Sequence, residues 1–90
     1  MAWKIEFHPG AEKELAKLGP VAAQRILRFL HDRVSSLDNP RAIGRALKGS
    51  ELGEFWKYRI GDYRVIARIE DSVVTIFVLR IGDRKSVYRR

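Results

Sequence analysis

The sequence predicts an α+β fold: an N-terminal strand, an antiparallel helix hairpin, then a three-stranded antiparallel β-meander, with the helices packed on one face of a four-stranded sheet. Three observations predict it. Apolar residues alternate with polar ones at the N-terminus, they then recur at helical spacing, and the second half consists of aromatic and β-branched runs separated by turn residues.

Trp3, Ile5 and Phe7 alternate with polar neighbours, the pattern of a half-buried strand. His8-Pro9-Gly10 breaks that strand, and Ala11, Leu15 and Leu18 follow on one helical face as far as Gly19-Pro20. Pro20 suits the first turn of a second helix, whose apolar positions Ala23, Ile26, Leu30, Val34 and Leu37 lie on one stripe. Asp38-Asn39-Pro40 ends the hairpin, and Arg41–Leu47 is expected to form a further helical turn. Glu54–Ile60, Tyr63–Glu70 and Val73–Arg80 then read as strands joined by two tight hairpins, at Gly61-Asp62 and Asp71-Ser72. The last is almost wholly apolar and therefore belongs inside the sheet.

Ninety residues make one domain, 1–90, and a hydrophobic content of 46% is enough for a packed core rather than a disordered chain. The absence of cysteine removes disulfides, thiolate zinc sites and cysteine nucleophiles together. Met1 leads straight into Ala2-Trp3-Lys4-Ile5, without the basic and then apolar regions of a secretory leader. The longest apolar stretch, within Val73–Leu79, is too short to span a bilayer. A cytoplasmic protein with no membrane partner is expected. Eighteen Lys and Arg against 11 Asp and Glu give a net charge of +7, which favours polyanions through counterion release.

The placement of that charge is more informative than its sum. Strand side chains alternate between faces, so Lys57 and Arg59 share one side, as do Arg64 and Arg68 on the next strand. A two-residue loop at Gly61-Asp62 would set Ile60 opposite Tyr63 and Arg59 opposite Arg64, bringing all four cations to one face. Like charges placed directly opposite destabilise a sheet by a few tenths of a kcal/mol up to about 1. A phosphate between two guanidinium forks reverses that penalty, which makes the face a candidate anion site. The tail from Arg80 to Arg90 adds Arg84, Lys85, Arg89 and Arg90 around Tyr88, a ring able to stack on an unpaired base. Simple alternation from Val73 turns Arg84 towards the helices, and a bulge or bend at Gly82 would re-aim it.

Leu47-Lys48-Gly49, Trp56-Lys57-Tyr58-Arg59, Tyr63-Arg64-Val65-Ile66 and Ile81-Gly82-Asp83-Arg84 followed by Val87-Tyr88 together resemble the RelE toxins of bacterial toxin–antitoxin pairs. The order and length of the elements match as well. The resemblance implies a RelE-like fold and a ribosome-dependent mRNA endonuclease acting on messenger RNA in the A site of the 70S ribosome. It also implies a cognate RelB-like antitoxin that wraps and neutralises the toxin. By the same resemblance Lys57 and Arg59 stand at the family's basic pair, where two lysines are common. Arg64 stands at its phosphate-binding arginine, Arg84 at its catalytic arginine, Tyr88 at its base-stacking tyrosine and Lys48 at an accessory backbone contact. Arg68 and Lys85 add cations for the RNA backbone.

RNA supplies its own nucleophile, the 2′-OH, so the protein needs to provide in-line geometry, a proton acceptor, charge stabilisation and a proton for the leaving oxygen. No metal-ligand or cofactor motif stands out, and a metal-independent reaction giving a 2′,3′-cyclic phosphate and a 5′-OH is expected. Lys57, crowded by Arg59 and Arg64, is the candidate base because like charges disfavour its protonated form; Tyr88 is the alternative. Arg59 and Arg64 would stabilise the phosphorane, with Arg84 near the leaving oxygen as candidate acid. His8 and His31 lie far from the basic hairpin in sequence, and Glu54 and Glu70 read as partners of nearby cations. Two other readings remain: a ParE-like inhibitor of DNA gyrase without nuclease activity, and an RNA-binding protein without chemistry.

Overall fold

The computed structural model describes residues 2–47 and 55–83. Strand β1 (Lys4–Phe7) leads into helix α1 (Pro9–Lys17) and helix α2 (Pro20–Arg28), which continues as one wider turn over Phe29–Val34. A single 3-10 turn, Pro40–Ala42, precedes the short strand β2 (Arg45–Ala46). The meander follows as β3 (Phe55–Ile60), β4 (Tyr63–Glu70) and β5 (Thr75–Asp83). The sheet order is β1-β5-β4-β3-β2, with β1 parallel to β5 and every other pair antiparallel.

The predicted layers and element order are present, and β2 extends the expected four strands to five. The further helical turn expected across Arg41–Leu47 stops at Ala42, because Gly44 turns the chain through φ +83° and lays β2 beside β3. A Cβ at Gly44 would stand 2.6 Å from both the Lys57 carbonyl oxygen and the Trp56 indole nitrogen, so only glycine passes there. The Trp56 indole donates to the Ile43 carbonyl at 2.8 Å and the Tyr58 hydroxyl to the Pro40 carbonyl at 2.7 Å, fastening this segment over the sheet.

Each helix boundary has a local cause. His8 caps α1, its Nδ1 accepting the Gly10 N–H at 3.2 Å, and Pro9 fills the first turn. Gly19 at φ +90° separates the helices and Pro20 opens the second. The wide turn that follows has a geometric reason. Ile26, Leu30 and Val34 recur every four residues, which in a 3.6-residue helix drifts about 40° per step. Widening the turn, with Ser35 N–H donating to the Leu30 carbonyl at 2.8 Å, cancels the drift and keeps all three fully buried. They pack with Trp3 and Ala11 on Tyr58, Val65, Ala67, Ile76, Val78 and Ile81, which face the helices from the sheet.

The second hairpin is not a two-residue turn: a 3-10 turn over Asp71–Val73 is followed by Val74 at φ +48°, and the strand starts at Thr75. An apolar Val-Val pair reads as strand, yet here Val73 is exposed and Val74 takes a left-handed conformation that β-branched residues rarely adopt. The irregularity expected at Gly82 falls earlier. Ile66 pairs with Arg80 and Ala67 with Val78, leaving Leu79 as the extra residue of a bulge. Past the bulge the alternation is re-phased: Ile81 joins the core, while Arg80 and Gly82 lie opposite Ile66 and Arg64.

Candidate RNA-phosphate site

The Gly61-Asp62 turn contains two residues, as expected, with Gly61 at φ +58°. It sets Ile60 opposite Tyr63 and Arg59 opposite Arg64, the like-charged pair read from the sequence. A second such pair adjoins it, because β2 places Arg45 opposite Lys57. Nothing in the meander's own alternation reveals Arg45, since it arrives from a strand that pattern reading took for helix.

These side chains border one hollow of about 440 Å³ that also takes in Phe29 and Arg33 from the wide turn of the second helix. Its wall carries Arg33, Arg45, Lys57, Arg59 and Arg64 and, among the described residues, no carboxylate. Arg33 is the other cation that sequence reading missed. It stands four residues after Phe29 on the same side of the helix, and its guanidinium lies 5.9 Å from the centre of the Phe29 ring. That i, i+4 pair was legible as a helical face; its approach to the sheet was not.

Members of the set differ in freedom. Arg64 is 9% exposed, and its Nη1 donates to the carbonyls of Gly61 at 3.1 Å and Tyr63 at 2.9 Å. The turn thus holds that guanidinium in place and leaves its Nη2 and Nε hydrogens for another acceptor. Arg59 is exposed and makes no ion pair among the described residues. Lys57 is half-buried, two residues before Arg59 on β3 and opposite Arg45. An anion entering here meets one preset fork and one solvent-exposed fork, with an ammonium alongside.

Arg68 shares the face by register but not the hollow. It pairs with Glu70 at 3.2 Å and lies over the Phe77 ring at 5.8 Å, so it stabilises the far end of the hairpin. Glu70 is thereby the cation partner it was read as. Lys48, Glu54, Arg84, Lys85 and Tyr88 lie outside the described residues. His8 serves the helix cap, and His31 is exposed on the wide turn. Nearby, Arg41 grips Asp71 with two hydrogen bonds of 3.0 and 2.9 Å, which hold the Asp71 carboxyl below its ordinary range. Burial pushes the Tyr58 hydroxyl well above the usual tyrosine value.

Comparison with known proteins gives a consistent result. The family model described as ParE toxin of type II toxin–antitoxin system, parDE, matches residues 5–88. Toxin RelG of Mycobacterium tuberculosis is 31% identical over 90 residues, covering 100% of both chains. Among solved structures, the toxin–antitoxin complex RelBE2 from Mycobacterium tuberculosis superposes with a TM-score of 0.81 at 28% identity, covering 93% of each chain. The intact E. coli RelBE complex gives 0.74 at 26% identity, covering 93% of this chain and 99% of that one.

Proposed function

Because the chain belongs to the RelE/ParE superfamily of type II toxin–antitoxin toxins, we propose that it is a ribosome-dependent mRNA endonuclease, held inactive by a RelB-like antitoxin. The observation that carries this reading is the hollow walled by five cations and no described carboxylate, with Arg59 and Arg64 directly opposed in the β3–β4 ladder on its wall. A surface of that kind is unfavourable to the fold alone and becomes favourable when a phosphodiester lies in it.

The chemistry follows from the placement. The 2′-OH of the nucleotide before the scissile bond attacks phosphorus while Lys57 takes its proton. Charge grows on the non-bridging oxygens, where Arg64, already fixed by its turn, costs no reorganisation and Arg59 closes from the other strand. The P–O5′ bond breaks and the leaving oxygen takes a proton, for which Arg84 is the candidate donor. The products are a 2′,3′-cyclic phosphate and a 5′-OH. The choice of Lys57 as base rests on its place in the basic cluster, and the roles of Arg84 and Tyr88 rest on the family resemblance, with Lys48 and Lys85 as backbone contacts. A decoding-site ribosome would supply the in-line geometry that an open basic hollow does not enforce by itself.

Toe-printing on ribosomes translating a defined message tests this. The expected result is codon-phased breaks ending in 5′-OH groups, lost by about a hundredfold or more in Arg59→Thr and Arg84→Ala. Undiminished cleavage by both variants would remove the site assignment. The match to the ParE family model supports a second reading, inhibition of DNA gyrase. Trapped gyrase–DNA complexes in expressing cells, without mRNA breaks, would decide for it.

A further inference from the structure

Beside the basic hollow runs a second depression of about 410 Å³ along the outer side of α2. Its floor is apolar, made by Val21, Phe29 and Ile60, and Val21 is 75% exposed with nothing described lying over it. Its rim is cationic: Arg25, Arg28 and Arg33 are all exposed, against the single carboxylate of Asp32. Phe29 and Arg33 border both depressions. The Gly61 turn joins them too: a Cβ at Gly61 would lie 3.1 Å from Arg25 Nη2 on the groove side, while its carbonyl accepts from Arg64 on the hollow side.

We propose that this groove is a second single-stranded RNA subsite, in which nucleotides flanking the scissile phosphate cross the Phe29–Arg33 ridge and lay their bases on the apolar floor. The proposal rests on the nuclease reading of the hollow and extends it. Three features select RNA. The rim charge complements a polyanion, and the groove is continuous with the hollow that would hold the scissile phosphate. The ridge is an arginine set over an aromatic ring, which offers a flat cationic surface to a base. Sites for unpaired nucleic acid combine these elements: a basic margin along the backbone and apolar or aromatic surface beneath the bases. Arg28 and Arg33 are the backbone contacts, and Val21 and Phe29 form the base platform.

Anisotropy titrations with labelled, 2′-O-methylated oligonucleotides test it, since the blocked 2′ position prevents cleavage. One oligonucleotide is short enough to fill the hollow alone, and the other is longer by several nucleotides. The expected result is that Arg28→Gln weakens the longer oligonucleotide several-fold, to about tenfold, and leaves the short one unaffected. Its slope of log affinity against log salt should fall by about 0.7, the loss of one phosphate contact on a single strand. Val21→Trp, at an exposed position, should tighten the longer oligonucleotide several-fold by adding a stacking surface, a gain that misfolding cannot mimic. Unchanged affinity and slope in Arg28→Gln would overturn the proposal. So would a variant that keeps RNA but loses a purified acidic antitoxin, which would make the groove a protein-docking surface. Arg59→Thr separates the two levels: weakening of the long oligonucleotide by Arg28→Gln but not by Arg59→Thr would sustain the groove and remove the hollow.

Discussion

Arg59 is the residue where folding and function pull in opposite directions. It stands across from Arg64 in the ladder, and Arg64 is anchored by its turn, so Arg59 bears the repulsion without a described partner. Replacing it by threonine removes a like-charge pair and installs a good strand former. Arg59→Thr should therefore raise stability by a few tenths to about 1 kcal/mol in a urea melt, while abolishing the proposed cleavage. A less stable Arg59→Thr would mean that the opposed pair carries no strain. The stability of the fold depends on pH through Tyr58. Its burial raises the hydroxyl pKa above the ordinary value of about 10, so the folded state retains a proton that the unfolded chain gives up. The sign is then fixed: this contribution is complete below about pH 10 and is lost as pH climbs through the folded value. Tyr58→Phe should be less stable at neutral pH by about 1–2 kcal/mol, because the Pro40 carbonyl loses its donor, and should show a shallower alkaline loss. Parallel pH profiles for the two proteins would contradict the burial argument.

At the scale of elements, the contact between α1 and the outer edge of β5 shows how a mixed sheet is closed. Strand β1 pairs with β5 only as far as Phe7 and Val78, so the β5 edge beyond it needs another partner. Glu14 supplies it: one carboxylate oxygen accepts the Ile81 N–H at 2.9 Å, and the other accepts from the Arg80 guanidinium at 3.3 Å. A helix side chain thus takes the place of a missing strand. Glu14→Ala should cost about 1–3 kcal/mol and speed hydrogen exchange at Ile81, whereas Glu14→Gln, which keeps an acceptor, should lose less. Equal losses would place the stabilisation in the Arg80 ion pair instead. Gly44 performs the corresponding task at the other edge, turning the chain so that β2 lies against β3. Gly44→Ala should destabilise by about 2 kcal/mol or more, since its Cβ would meet backbone and indole atoms that cannot move aside cheaply.

For the whole molecule, charge and shape act together. A net charge of +7 on 90 residues speeds encounter with any polyanion or acidic partner and makes the encounter sensitive to salt. Yet the described ion pairs, Lys4 with Glu6, Arg41 with Asp71, Arg68 with Glu70 and Arg80 with Glu14, are distributed around the sheet, whereas the hollow and its neighbouring groove together carry a single described carboxylate. Among the described residues, the linings of the hollow and the groove are thus predominantly cationic. Association with the proposed acidic antitoxin should accordingly slow by about tenfold or more between low and high salt, with a smaller change in the dissociation rate. Stopped-flow association at several ionic strengths would measure it, and a salt-independent on-rate would contradict electrostatic steering.

Strand β1, the helix pair, the three meander strands, their order and the Arg59–Arg64 pairing are legible locally, because helix period, strand alternation and a two-residue Gly-Asp turn are all local rules. Tertiary structure decided what met that pair. Arg45 reached Lys57 only because Gly44 bent a segment that reads as helix into an edge strand, and Arg33 reached the hollow only because a widened turn packed Phe29 beside Tyr58. The bulge at Leu79 likewise has no signature in local alternation, since it answers to the strands on either side of β5. Local periodicity specifies which way a side chain points within its own element; which cations share a hollow depends on how distant elements stack, and that is settled by burial of the core between them.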